Sequence, residues 1–274
     1  MKSSTLAISL SFVLLAPLPG SLASMLQAQD KFAKLGAILH LDVEKTIRDS
    51  LRINDPDLKK RTRLIWSKLN FSNRQGHKED YLVEVNYAAE WWKDKASLVL
   101  AFVRARDSFR LVFCWFGSYS DFGMRPKLVD IDSDSQLELL FNTTFSGHQS
   151  STSDVSLYRF NGNSFTAIFS EDLLLSYASC PYSTDNRYRF VRNRRNPQLL
   201  DIHFTVSTDT LALDELIPEP DARQRAITVP KPFHETYIFQ FDGNKYMPNK
   251  PVYDYRGFFR EFYKGLMNFG GSGS

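Results

Sequence analysis

Four acidic residues with regular spacing are the residues of this chain best suited to chemistry. They form the pattern D-x-D-x-D-x-x-x-E at Asp130, Asp132, Asp134 and Glu138. In a tight loop this spacing lets alternate side chains converge on one hard cation, and ligands that are all oxygen favour calcium over zinc or copper. The alternative is a solvated polar hairpin without an ion. Ser135 stands where such loops usually carry glycine, which indicates a strained turn or a modest affinity.

The acidic loop belongs to a stretch that recurs later in the chain. PKLVDI at 126–131 is followed by LYRFNGNSF at 157–165, and PQLLDI at 197–202 is followed by YIFQFDGNKY at 237–246. Asn-Gly and Asp-Gly between aromatic strands predict tight hairpins with positive φ at both central residues. Arg106-Asp-Ser-Phe occupies the hairpin position of a third, fainter copy. The second copy reads Asp201-Ile-His203-Phe-Thr205 and has lost two acidic ligands, so we expect one cation site rather than two.

These motifs resemble the FG-GAP/VCBS-type repeats of secreted bacterial proteins, whose units typically read P-x-L-V-D-L-D-G-D-G-x-x-E-L-L followed by L-Y-R-F-D-G-x-x-F. The chain also resembles periplasmic lysozyme-inhibitor proteins that have calcium loops and a propeller-like fold, over roughly residues 97–250. The resemblance implies a secreted propeller that displays loops for binding and uses Ca²⁺ as a structural clip. By the family pattern, the calcium ligands are Asp130, Asp132, Asp134 and Glu138.

Composition and periodicity predict a mainly β chain. Aromatic residues make up 14% of the 274 residues, and flat rings pack well on a pleated surface. Nine short apolar runs bounded by turn residues are predicted strands: YLVEVNY, SLVLAFVRA, FRLVFCWF, KLVDI, LELLF, VSLYRF, FTAIFS, LLDIHFTV and TYIFQF. We expect antiparallel four-stranded blades in a propeller-like array. A closed propeller needs at least about four blades, so residues 171–196 and the ends supply the remainder, or the array is incomplete or sandwich-like.

The ends of the chain differ from this β region. Residues 1–23 are typical of a secretory signal peptide, with a membrane anchor as the alternative. Residues 24–78 have helical spacing, with a second helix expected from about Asp57 to Leu69, and residues 79–254 form the β domain. Residues 255–269 predict a closing amphipathic helix, and 270–274, GGSGS, are typical of an artificial linker. The mature protein is therefore expected to be secreted or periplasmic, without a membrane span.

Export bears on the cysteines and on two glycosylation sequons. An oxidising compartment lets Cys114 and Cys180 form a disulfide, and two buried free thiols are the alternative. Asn70 and Asn142 fit the N-glycosylation pattern, which matters only in a eukaryotic secretory pathway.

Catalytic signatures are missing from the sequence. None of the five histidines lies in an H-E-x-x-H motif, and no glycine-rich phosphate loop is present. Glu171 and Asp172 could serve a glycosidase, but adjacent strand residues point to opposite faces. The net charge of +3 disfavours nucleic acid as a partner. We therefore expect a protein that is not an enzyme.

Binding has more support than catalysis. The excursions 142–155 and 207–234 are longer than hairpins need, and long loops on a β scaffold often carry recognition. Trp91, Trp92 and His148 are the candidate binding residues, with core packing and solvation as the alternatives. The basic run RFVRNRR at 189–195 suits an acidic partner or an anionic envelope polymer, or is a solvated face.

The expected function follows from these features together. We expect a non-enzymatic secreted or periplasmic protein that engages a protein partner through its loops, with a cell-wall hydrolase as one candidate target. A glycan-binding module or a divergent glycoside-active enzyme is the alternative, and a purely structural envelope role is the third.

Overall fold

Antiparallel strands make up most of the molecule. The computed structural model describes residues 31–72, 80–88, 95–117, 126–146, 150–177, 180–210 and 230–260. Within these residues the protein is mainly β, as predicted, with short helices before and after the strands. The predicted signal peptide and the predicted linker lie outside the described residues, as does most of the excursion 207–234.

Three helices lead into the first sheet. The described part of α1 covers residues 31–39, α2 covers Val43–Leu51 and α3 covers Leu58–Arg61. Asp42 caps α2, because its Oδ1 accepts a hydrogen bond from the Lys45 backbone N–H at 3.0 Å. One face of the helices is apolar and buried, and it contributes Phe32, Leu35, Leu39, Val43, Ile47 and Leu58 to the first core.

The predicted second helix is mostly a strand. The apolar spacing predicted a helix from about Asp57 to Leu69, but α3 ends at Arg61 and β1 covers Thr62–Leu69. All eight residues of β1 pair with the next strand, from Thr62 opposite Tyr87 to Leu69 opposite Asp80. The prediction was wrong because the spacing of Leu64, Ile65 and Leu69 fits both the helical and the strand periodicity. Pairing with the distant strand decides between the two structures.

The first sheet is a four-stranded meander in the order β1-β2-β3-β4. β2 covers Asp80–Ala88, β3 covers Lys95–Ala105 and β4 covers Ser108–Gly117. Side chains alternate between its faces, so that Val83 packs against the helices and Leu82 packs on the opposite face. β3 and β4 are joined by a two-residue turn in which Arg106 has φ 55°. The fainter predicted hairpin is therefore confirmed.

The second sheet holds the repeat region. Its strands are β5 (Lys127–Val129), β6 (Glu138–Ser146), β7 (Ser150–Phe160), β8 (Phe165–Tyr177), β9 (Tyr182–Asp185), β10 (Arg187–Arg192), β11 (Leu200–Thr210), β12 (Phe233–Phe241) and β13 (Tyr246–Pro248). β5 to β8 form one antiparallel run of four strands, and β10 to β13 form another. β9 pairs with both β8 and β11 and thereby joins the two runs into one sheet.

The hairpins of the two repeat copies have the same geometry. Asn161 closes the first by donating its N–H to the Ser164 carbonyl at 3.0 Å, while its Oδ1 accepts from two later backbone N–H groups. Asp242 repeats these contacts in the second hairpin. Within these two hairpins, positive φ occurs only at Gly162, with 92°, and at Gly243, with 99°. The two-residue turn predicted here was wrong, because the side chain of the first residue caps a four-residue loop.

The predicted excursion 142–155 is not a long loop. β6 and β7 run through it and pair from Asn142 opposite Val155 to Ser146 opposite Ser151. Small polar residues obscured this strand pair in the sequence, but threonine and serine pair well across strands. Only residues 147–149 of the excursion, which include His148, lie outside the described residues.

Three apolar cores follow one another across the molecule. The first lies between the helices and the first sheet. The second lies between the other face of that sheet and β6 to β8, where Trp115 stacks on Phe141 with ring centroids 4.7 Å apart. The third lies where β6 to β8 face β11 to β13, and Phe169 meets Phe239 edge to face at 5.1 Å. The three strand runs are therefore stacked face to face in chain order.

The chain returns to helix at the predicted residue. The described part of α4 covers residues 255–260, and the predicted remainder to 269 lies outside the described residues. Tyr255 and Phe259 are both buried, and the Phe259 ring packs on Tyr182 at 5.1 Å. The aromatic spacing thus predicted the packed face of α4 correctly.

Candidate metal centre

The acidic loop connects β5 to β6 and brings three aspartates together. One carboxylate oxygen each of Asp130, Asp132 and Asp134 lies within 4.8 Å of the other two. Ser133 and Ser135 have φ of 57° and 66°, in the left-handed region that glycine favours. The sequence predicted a serine at a position that favours glycine for Ser135, and the structure shows the same for Ser133. The loop therefore turns as a cation-binding loop does, at a cost in backbone strain.

Backbone N–H groups hold one oxygen of several carboxylates. Asp130 Oδ2 accepts from Ser135 N at 3.2 Å, and Asp134 Oδ1 accepts from Gln136 N at 2.7 Å. These bonds fix the carboxylates in the loop before any ion arrives, which reduces the entropy lost on binding.

The remaining oxygens include three that have no hydrogen-bond partner. Asp130 Oδ1, Asp132 Oδ1 and Glu138 Oε1 are all buried without a hydrogen bond, although Glu138 Oε1 lies 3.6 Å from Arg159 Nε. Buried carboxylate oxygens are rarely left in this state, because each loses its hydration without compensation. A hard cation bound by oxygen ligands would satisfy them, so the donor set fits calcium.

Glu138 lies beneath the aspartates at the start of β6. Its side chain is completely buried, and its Oε2 accepts from the Ile131 backbone N–H at 3.1 Å. Burial raises the pKa of Glu138 to about 8, against the hydrogen bond from Ile131 and the charge of Arg159. A carboxyl in such surroundings becomes a good ligand once a divalent cation compensates its charge.

Arg159 is the residue that the sequence analysis missed. It reaches from β7 into the loop and binds Asp132 Oδ2 and Asp134 Oδ2, each at 2.7 Å. Its Nε lies 3.6 Å from Glu138 Oε1, and its guanidinium lies over the Phe241 ring at 5.2 Å. One guanidinium thus contacts three carboxyl groups, and Asp130 lies beside two of them, so negative charge remains for a cation. The arginine of the LYRF motif was the available signal.

The loop also ties neighbouring strands together. Leu200 N donates to Ile131 O at 2.8 Å, and Ser133 Oγ donates to Gln198 O at 3.1 Å, which joins the loop to the segment that enters β11. Gln136 Nε2 donates to the Phe160 carbonyl at 2.6 Å, at the hairpin between β7 and β8. An ion in the loop would therefore stabilise the contact between the two four-stranded runs.

The second repeat copy has no equivalent acidic loop. Asp201 lies within β11, is buried and accepts a hydrogen bond from Asn193 Nδ2 at 2.8 Å. In the described part of the chain, the aspartate trio is the one group of acidic, histidine or cysteine side chains arranged to hold a metal. A single cation site in the two copies therefore stays a prediction.

The two cysteines are separate free thiols, so the structure does not contain the predicted disulfide. Cys114 is exposed on β4, whereas Cys180 is buried beside Tyr182 and Phe259. Burial raises the pKa of the Cys180 thiol to about 11. Cys114 lies on the first sheet and Cys180 in the segment that precedes β9, and spacing in the sequence carried no information about that separation.

The adjacent carboxylates of β8 share one partner instead of pointing apart. Arg256 of α4 binds Asp172 Oδ2, and its Nη2 lies 3.0 Å from Glu171 Oε2. The pairing of β7 with β8 shifts register between Ser153 and Asp154, which leaves Leu173, next to Asp172, without a paired residue. The Tyr255 hydroxyl also donates to Glu171, at 2.8 Å. The cluster is thus an ion pair that fastens α4 to the sheet.

The remaining sequence candidates are placed as follows. Trp91 and Trp92, like His148, lie outside the described residues. Asn142 accepts a hydrogen bond from the Tyr188 hydroxyl at 2.8 Å, whereas Asn70 is exposed. Among the described helices, none has the length and apolar character required to cross a membrane.

No protein-family model, curated protein sequence or solved structure was found to match this chain.

Proposed function

We infer that this chain is a secreted or periplasmic binding protein, without catalytic activity, whose propeller-like scaffold is held together by calcium. The observation that carries the proposal is the acidic loop, in which two buried carboxylate oxygens, Asp130 Oδ1 and Asp132 Oδ1, have no hydrogen-bond partner. A backbone N–H already orients Asp130, and Arg159 orients Asp132. Calcium satisfies both oxygens and neutralises the charge that Arg159 leaves uncompensated.

The position of the loop supports a structural role for the ion. Hydrogen bonds from the loop reach the entry to β11 and the hairpin between β7 and β8. The bound ion would set the spacing between two strand runs that share one apolar core. Surfaces formed by both runs would then keep one shape, which favours recognition of a partner at low entropic cost.

A propeller-like arrangement is the architecture that this proposal adopts. Three four-stranded meanders stacked in chain order support it. The pairing of β9 with both β8 and β11 is a departure from separate blades. The partner would be a macromolecule, and a cell-wall hydrolase is the first target to test.

The experiment is capture of partners from an envelope extract by the immobilised mature protein. Calcium is present during binding, and a chelator elutes the column. Asp132→Asn removes one ligand, and Asp107→Asn, in the exposed turn between β3 and β4, is the matched control. The proposal predicts a stoichiometric partner that the wild type and Asp107→Asn retain in calcium and that Asp132→Asn loses. Equal capture by all three proteins in chelator would contradict it.

Inhibition of a hydrolase is tested separately. A lysozyme is assayed on a peptidoglycan suspension with increasing amounts of the protein, in calcium and in chelator. A loss of hydrolysis that saturates at one molecule of protein per enzyme molecule is the predicted result. Unchanged hydrolysis at a large excess of folded protein would remove lysozymes from the candidate targets.

The alternative is a glycan-binding module or a divergent glycoside-active enzyme. Its best support among the described residues is the Glu171–Asp172 pair, because paired carboxylates do this chemistry. Arg256 binds both of them, however, so substrate would have to displace an ion pair. Release of reducing sugar from envelope polysaccharide, lost in Glu171→Gln, would favour this alternative.

A further inference from the structure

A basic pocket opens on the solvent-facing side of β10 to β12. It has a volume of about 580 Å³ and is lined by four arginines, Arg189, Arg192, Arg194 and Arg195. Asp201 is the one acidic residue among its lining residues, and Asn193 already binds it. The pocket therefore carries a clear excess of positive charge in a chain whose overall charge is only +3.

The register of the strands explains how this face is built. Arg189 of β10 lies directly opposite His203 of β11, and His203 lies opposite Ile238 of β12. The neighbouring residues Tyr188 and Phe190 pack against the third core instead. Because side chains alternate along a strand, burial of these two rings places Arg189 on the outer face.

A short loop supplies two more of the arginines. Asn193 is buried, and its Oδ1 accepts from the backbone N–H groups of Arg195 at 2.8 Å and Asn196 at 2.9 Å. Its own N–H donates to Leu199 O at 2.9 Å. The backbone that carries Arg194 and Arg195 is therefore held in one conformation, which lowers the entropic cost of binding a ligand there.

Among the described residues, these arginines take no part in ion pairs of the fold, although Arg192 Nη1 donates to the Pro197 carbonyl at 3.3 Å. All four are exposed, and within the described part of the chain none forms a salt bridge, whereas Arg187 on the same strand pairs with Asp185 at 2.8 Å. Four cations around one pocket repel one another, and Asp201, which Asn193 already binds, is the one acidic lining residue that offsets them. Arginine presents a planar fork of donors that suits phosphate, sulfate and carboxylate groups.

From this arrangement we propose that the pocket binds a glycan that carries phosphate or sulfate groups. The arginines bind the anionic groups, and the amides of Gln240 and Asn249 with the His203 imidazole offer donors and acceptors for sugar hydroxyls. The volume lies in the range of small-ligand sites and holds a few sugar units of a longer chain. An acidic peptide suits the pocket less well, because Val191 and Ile238 are its only apolar lining residues.

The test uses a short heparin oligosaccharide and a phosphorylated oligosaccharide as probes, titrated into the full chain by calorimetry. A neutral oligosaccharide of equal length, inorganic pyrophosphate and a polyglutamate peptide are the comparison ligands. The variant is the double substitution Arg194→Gln and Arg195→Gln. Arg187→Gln is the control, since it removes one positive charge, against two in the double variant, from an exposed site on β10 that does not line the pocket.

The proposal predicts that at least one anionic oligosaccharide binds the wild type and that the double variant weakens this binding at least about tenfold. Arg187→Gln should stay within about twofold of the wild type. An equal loss of affinity in Arg187→Gln would mean that binding depends only on overall charge, and this would overturn the proposal. Unchanged affinity in the double variant would overturn it as well. Binding of pyrophosphate, polyglutamate or the neutral oligosaccharide as tight as that of the anionic oligosaccharides would overturn it too.

This pocket is independent of the calcium loop. None of its lining residues is a candidate ligand, so Asp132→Asn should retain glycan binding as long as it is folded. A wild type that binds glycan but not calcium would contradict the metal proposal alone, and a wild type that binds calcium but not glycan would contradict the pocket alone.

Discussion

Replacing Arg159 by glutamine is expected to make the protein dependent on calcium. The guanidinium is only 17% exposed and contacts Asp132 and Asp134 at 2.7 Å each. Removal of one partner from a buried ion pair typically costs about 3–5 kcal/mol. Asp134 is 36% exposed and can recover hydration, so we expect about 2–3 kcal/mol here. For a domain of this size that corresponds to a fall in Tm of roughly 4–12 °C in chelator.

Calcium should reverse most of this loss. With Arg159 gone, the three clustered aspartates have no competing cation, so calcium should bind at least about tenfold tighter. A ligand at one hundred times its Kd stabilises the folded state by about 2.7 kcal/mol, which matches the expected loss.

The assay is thermal unfolding of the wild type and Arg159→Gln in calcium and in chelator. Arg187→Gln is the control, because its ion pair with Asp185 is 79% and 68% exposed and should contribute almost nothing. The reasoning is refuted if Arg159→Gln loses the same stability in calcium as in chelator, or if it binds calcium more weakly than the wild type.

Three further predictions concern individual residues. Ser135→Gly should raise the free energy of unfolding in urea by up to about 1 kcal/mol, because glycine relieves the positive φ at some cost in unfolded-state entropy. A lower free energy of unfolding would mean that the serine hydroxyl contributes more than the backbone strain. Asp80→Ala should cost about 2–3 kcal/mol in the same assay, because the buried carboxylate accepts from the Phe71 N–H at 2.7 Å, and a change below about 0.5 kcal/mol would contradict this. Burial raises the pKa of Asp154 above its ordinary value of 3.8, so its contribution is fully present below that pH and is lost as the pH rises through the raised pKa. Asp154→Asn, which keeps an oxygen for Thr143 Oγ1, should therefore lose less stability than the wild type as the pH rises from 3.8 through the raised pKa; parallel pH profiles of the two proteins would refute it.

The sequence predicted the strands better than their assembly. All nine predicted runs are strands, because alternation of apolar and polar residues and flanking turn residues are local signals. β1 was predicted as helix, and β9 and β10 were not assigned as strands, because short or polar segments become strands only through a distant partner. The full length of the β6–β7 strand pair was not predicted, for the same reason.

The candidate site was predicted in part. The spacing of Asp130, Asp132 and Asp134 predicted that they converge, because all three lie in one short loop. Arg159 could not be placed there from the sequence, since it arrives from β7 across the sheet. The basic pocket was visible as a charged run, but its concave shape depends on the pairing of β10 with β11.

The most direct test of the central claim is calorimetric titration of calcium into the metal-free, folded protein. The account predicts one calcium ion per chain, unchanged binding in Asp107→Asn and loss of binding in Asp132→Asn. No binding to the wild type at millimolar calcium, with its circular dichroism spectrum intact, would contradict it.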